Sequence, residues 1–128
     1  MIQICSIDNE IYSCIAGDLT TNEVIITDEQ IEHSNKRHQN AYDKYKAFIP
    51  EVLAQPDEIL RDKRPFTGLI VKEIKGEEPN SLLVVLRIRV SQDPEHYKNS
   101  IINCWKIDLK RYKNYRKSRE ILYKAKGR

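Results

Sequence analysis

At 128 residues, with 40% hydrophobic and 32% charged side chains, the chain has enough apolar material for one folded core and too much for a disordered segment. Its longest aliphatic run, Leu82 to Leu86, is too short to cross a bilayer, and the start MIQICSIDNE lacks the basic-then-apolar form of a signal peptide. Cys5, Cys14 and Cys104 are odd in number, scattered and without zinc-ligand spacing, so they read as free thiols in a reducing compartment. A single cytoplasmic domain is expected, with no membrane contact, no metal and no other cofactor.

In chain order, residues 1–26 form an extended segment. Two short apolar stretches, Ile2–Ile7 and Ile11–Ile15, flank the polar Asp8-Asn9-Glu10, which predicts a small hairpin. Val24-Ile25-Ile26 is an extended lead into the helical part, residues 27–60. There Thr27 is placed to cap a helix and Gln30 to reach back and complete a capping box. Asp28 and Glu29 fall in the first turn, where the helix dipole favours negative charge.

This helix carries His33 and His38, two of the three histidines, with Lys36 and Arg37 between them. Five residues on a helix is about 140° of rotation, so both cannot face one pocket from an unbroken helix. Either the helix ends near Arg37 and turns at Asn40, or only one histidine is chemical. Beyond them Tyr42, Tyr45, Phe48, Ile49, Val52 and Leu53 keep helical spacing. Pro50 predicts a kink or a new helix with proline in its first turn. Pro56-Asp57 is a turn, and the charged Arg61 to Arg64 is a loop.

From residue 66 the period changes to two. Phe66 to Ile74 reads as a strand and GEEPN (residues 76–80) as the turn after it. Leu82, Val84, Leu86, Ile88 and Val90 share one face of the next strand, which should pack on helices. Leu83, Val85, Arg87 and Arg89 share the other. A loop holding His96, a strand from Ser100 to Leu109, a basic turn-like stretch from Arg111 to Lys117 and a strand from Arg119 to Lys124 complete residues 66–128. Strands after helices predict an α+β fold with helices on one face of an antiparallel sheet.

The net charge of +3 is unevenly placed. From Lys106 to Arg128 ten Lys or Arg face only Asp108 and Glu120, so that end carries +8 and residues 1–105 carry −5. Cations interleaved with Tyr112, Tyr115 and Tyr123 suit a polyanion, the cations meeting phosphates and the rings stacking on bases. The bland alternative is a solvated basic end. The tyrosines and Ile121-Leu122 favour a folded, binding one.

The segments IITDEQIEHSNKRH, FIPEVLAQPDEI, LLVVLRI, KNSIINCW and SREILYK, in that order, resemble the phage-associated branch of the barnase–EndoU–colicin–RelE-like nuclease superfamily. The distinctive pieces are HxxxxH with Arg37 before His38, Pro56-Asp57, and Asn99-Ser100 opening a strand. The resemblance implies N-terminal helices packed on a four-stranded antiparallel sheet. It also implies metal-independent cleavage of RNA, by a toxin or mobile-element effector, with tRNA among the substrates and an antitoxin or immunity protein as a partner. It calls for a threonine near position 103, where this chain has Asn103.

Such cleavage needs a base for the 2′-OH, an acid for the leaving 5′-oxygen, and cations or hydroxyls for the phosphorane charge. The candidates are His38 and His33 as acid and base, Arg87 for the charge and Ser100 as a phosphate donor. Arg37, Arg89, Asn99, Lys113, Tyr115, Arg116, Tyr123 and Lys124 are the candidate RNA contacts. The alternative is a nuclease-like fold that only binds nucleic acid or a protein. A serine hydrolase lacks its nucleophile-elbow motif here.

Overall fold

The computed structural model describes residues 1–74 and 81–126. The strands are β1 (Ile2–Ser6), β2 (Glu23–Ile26), β3 (Glu58–Arg61), β4 (Thr67–Glu73), β5 (Ser81–Arg87), β6 (Asn99–Ile107) and β7 (Ile121–Lys124). They form one sheet in the order β1-β2-β6-β5-β4-β3-β7. Neighbours run antiparallel except β2 and β6, which pair in parallel over Val24↔Asn99 and Ile25↔Ser100. The helices are α1 (Asn9–Tyr12), α2 (Asp28–Arg37), α3 (Ala41–Tyr45), α4 (Ile49–Ala54) and α5 (Leu109–Ser118), with a 3-10 turn over Lys46–Phe48.

The alternation along β5 decides the layering. Leu82, Val84 and Leu86 join Ile59, Ile70 and Ile101 in a core closed by Tyr42, Ile49, Val52 and Leu53 from α3 and α4. Leu83 and Val85 join Leu60, Leu69, Val71 and Ile107 on the opposite face, covered by Tyr112 and Tyr115 of α5. Both faces are therefore buried, and residues 82–86 read as one continuous apolar run because the strand is central.

This corrects the expected architecture in three ways. The sheet is seven-stranded and mixed rather than four-stranded and antiparallel. Helices lie on both faces, because Arg111 to Lys117 is helical rather than turn-like, started by Asp108 accepting from Arg111 N at 2.8 Å. The N-terminal hairpin is instead one strand and a short helix, since Asp8 caps α1 by accepting from Glu10 N. The predicted GEEPN turn lies outside the described residues.

Two further details position the site. The capping box forms, with Thr27 Oγ1 accepting from Gln30 N at 3.2 Å and Gln30 Oε1 accepting from Thr27 N at 3.1 Å. At the other end His38 is the C-cap, and Gln39 and Asn40 take left-handed φ values of 50° and 62°. Asn35 stitches that turn, accepting from Asn40 N through its carbonyl and from Asp43 N through its side chain. A new helix then starts at Ile49 with Pro50 in its first turn.

Candidate active site

β2 pairs with β6 only at Asn99 and Ser100, so the outer edge of β6 beyond them has no strand partner, and α2 and α3 lie against it. The buried Ser34 fastens α2 there: its hydroxyl donates to Cys104 O at 3.1 Å and accepts from Cys104 N at 3.4 Å. One turn later the helix ends, and His38 lies against the β6 residues of the opposite sheet face. Its imidazole stacks on the Trp105 indole, ring centroids 4.5 Å apart and planes 17° from parallel.

Asn103 approaches the same ring. Its Oδ1 accepts from Cys104 N at 2.9 Å, which turns Nδ2 toward His38 Nε2 at 3.4 Å. An amide nitrogen only donates, so Nε2 is the acceptor and the neutral imidazole carries its proton on Nδ1. Partial burial, followed by the charges of Arg37, His33 and Arg111, holds the His38 pKa below the usual histidine value. At neutral pH the ring is therefore uncharged.

His38 borders a cleft of about 240 Å³ on the α5 face of the sheet. Leu69, Val85, Asn103 and Trp105 line its sheet side, Arg37 the end of α2, and Arg111 and Tyr115 the helix α5. Asp62 and Arg64 come from the β3–β4 turn and Arg119 from the end of α5. Four guanidinium groups thus surround the space against one carboxylate. Asp62 lies 3.7 Å from Arg64 and 4.0 Å from Arg119, and the Arg119 guanidinium lies 5.0 Å over the Tyr115 ring. A larger hollow of about 440 Å³ on the other side of α2 is lined by Asp28, Glu32 and Asp43 against Lys36, a field that repels a polyanion. Among the described residues no three His, Cys, Asp or Glu side chains are grouped to hold a metal ion, and no helix is long and apolar enough to cross a membrane.

Of the residues singled out from sequence, His38, Arg37 and Tyr115 meet at this cleft. His33 is exposed on α2 and does not line it, although its charge reaches His38. Arg87 is held by Asp93 through two hydrogen bonds of 2.7 and 3.0 Å and does not border the cleft. Arg89 ties Thr20 to the Asp93 and Pro94 carbonyls. Asn99 is buried between Thr21 O and Arg89 N, at 2.8 and 2.7 Å, and Ser100 is half-buried beside Ile25 and Arg87 in the ladder. Lys113 and Arg116 line a separate depression of about 270 Å³ on the outer side of α5. Arg116 Nε also reaches Glu58 Oε1 at 3.1 Å. Tyr123 packs on the first core and Lys124 is exposed on the edge strand β7.

Sequence reasoning missed Trp105, Arg111, Arg119, Arg64 and Asp62 as site residues, and expected a threonine where Asn103 stands. Trp105 and Asn103 fall on the strand the resemblance had marked. The arginines had only their place in charged stretches to signal them.

A mixed sheet that presents a neutral imidazole above an arginine-lined cleft defines an α+β protein suited to handling phosphate esters. The family model described as phage-Barnase-EndoU-ColicinE5/D-RelE like nuclease2 matches residues 7–124, and the chain belongs to that nuclease family. No curated protein and no solved structure matches it.

Proposed function

We propose that this chain is a metal-independent endoribonuclease that cuts RNA by acid–base transesterification, acting as a phage- or mobile-element-associated toxin or effector. The observation that carries the reading is the uncharged His38, backed by Trp105 and Asn103, at the edge of a cleft lined by Arg37, Arg64, Arg111 and Arg119. Membership of a nuclease family supports it.

In this mechanism the 2′-OH displaces the long Asn103 contact and gives its proton to His38 Nε2 while its oxygen attacks phosphorus. The guanidinium groups nearest His38, Arg37 and Arg111, stabilise the added charge on the phosphorane. The imidazolium then protonates the leaving 5′-oxygen as the P–O5′ bond breaks. The products are a 2′,3′-cyclic phosphate and a free 5′-OH, and His38 returns to its neutral form. One histidine thus serves as base and then acid, with His33 tuning it from a distance. Tyr115, beside Arg119 in the cleft, is the side chain placed to stack on a base.

The test is RNA cleavage in excess EDTA by the parent and by His38→Ala. Cleavage ending in cyclic phosphate, and lost in the variant, is expected. RNA that binds but stays whole across tRNA and mRNA substrates would replace this reading with that of a binding module.

A further inference from the structure

The stacked pair His38 and Trp105 is a wall with a hollow on each side. Beyond it from the cleft lies a second space of about 350 Å³, lined by Arg37, Gln39, Lys44, Tyr45, Lys106 and Arg111 as well as by the two stacked rings. The hollows share Arg37, His38, Trp105 and Arg111, so they are two lobes of one groove.

Their chemistry differs. The first lobe has an apolar floor of Leu69 and Val85, a tyrosine and a carboxylate, which suits a base and ribose. The second has four cations and no carboxylate among its lining residues. Lys106 Nζ lies 5.3 Å above the Tyr45 ring, so its charge is held in place at the wall. Like charges gathered without a lining carboxylate repel one another, and an anion entering the lobe relieves that repulsion. Gln39, held at φ 50°, adds an amide donor to the rim.

We propose that this second lobe is a subsite for the backbone phosphate next to the one at His38. The enzyme would then engage its strand on both sides of the scissile bond, and its substrate class is an RNA that continues past the cut. The proposal rests on the ribonuclease reading above and deepens it. Arg37 and Arg111, which border both lobes, bridge the two phosphates.

The test uses 2′-O-methyl dinucleotides, which bind but cannot be cut by transesterification. They carry no terminal phosphate, a 5′-phosphate or a 3′-phosphate, and are titrated against the full chain, Lys44→Ala and Lys44→Arg. A phosphate at one of the two ends should tighten binding to the parent by about tenfold, the scale of one charge-assisted contact. The gain should largely vanish in Lys44→Ala and return in Lys44→Arg. On a longer 2′-O-methyl strand, the slope of log K against log salt should fall in magnitude by about 0.7 in Lys44→Ala, the loss of one phosphate contact. If neither phosphate helps, or the gain survives in Lys44→Ala, while the parent still cuts RNA in EDTA, the subsite is wrong and the ribonuclease reading stands. If RNA is neither bound nor cut, both fall together.

Discussion

Ser34→Ala tests whether the α2 anchor sets the site. The Ser34 hydroxyl is buried and makes two contacts with the Cys104 backbone, at 3.1 and 3.4 Å. Losing a neutral hydrogen bond costs about 1 kcal/mol, and leaving a desolvated carbonyl short of a donor costs about 1 more. Alanine's better helix propensity returns roughly 0.5 kcal/mol. The net loss is about 1.5 kcal/mol, which for a chain of this size lowers Tm by about 5 °C. Urea unfolding should show a lower midpoint with an unchanged slope. Because His38 lies one turn further along the same anchor, native-state fluorescence of Trp105, the single tryptophan, should change as its stacked partner loosens. Cleavage should fall by more than the small unfolded fraction explains. Unchanged stability together with an unchanged Trp105 signal would refute the anchor.

Three other expectations are open to measurement. In Gly68→Ala the added Cβ meets Ile15 Cδ1 at 2.6 Å and Ile59 Cγ2 at 3.1 Å. The Ile15 tip can move but the β-branched Ile59 cannot, so about 1 kcal/mol is lost, and Ile15→Val should recover part of it in a double-mutant cycle. The lowered His38 pKa means the folded chain binds fewer protons than the unfolded one below about pH 6.5. That contribution to stability is present above about 6.5 and lost as pH falls through the folded pKa, and pH titration of Trp105 fluorescence should have its midpoint below 6.5. In Glu58→Ala the Tyr112 hydroxyl and Arg116 lose the buried carboxylate they share. About 2 kcal/mol should be lost, and amide exchange should speed up in α5 before the central strands.

Much of the scaffold was legible locally. Thr27 with Gln30, the turn at Asn40, Pro50 and the alternation along β5 each act within a few residues, and the structure reproduces their signals. What escaped depends on distant partners. β3 offers only Ile59-Leu60 as a signal, and becomes a strand because β4 and β7 flank it. α5 lacks a full apolar stripe: Tyr112 and Tyr115 alone face the sheet, while Leu109 is exposed. The cleft itself draws on α2, β6, α5 and the β3–β4 turn, and only strand order and register bring Arg37, Arg64, Arg111 and Arg119 together. The spacing of His33 and His38 was informative in excluding a shared face.

The positive-φ residues other than glycine among those described are Gln39, Asn40 and Phe66. All three sit in the turns that carry His38 on one bank of the cleft and Asp62 and Arg64 on the other. For Gln39 and Phe66 this backbone costs on the order of 1 kcal/mol each, and glycine would adopt it freely. A sturdier version of this protein is thus one or two substitutions away, and it would be gained by loosening the turns that aim the imidazole and the arginines. In this chain, thermal robustness and readiness to act pull in opposite directions at the same few peptide bonds.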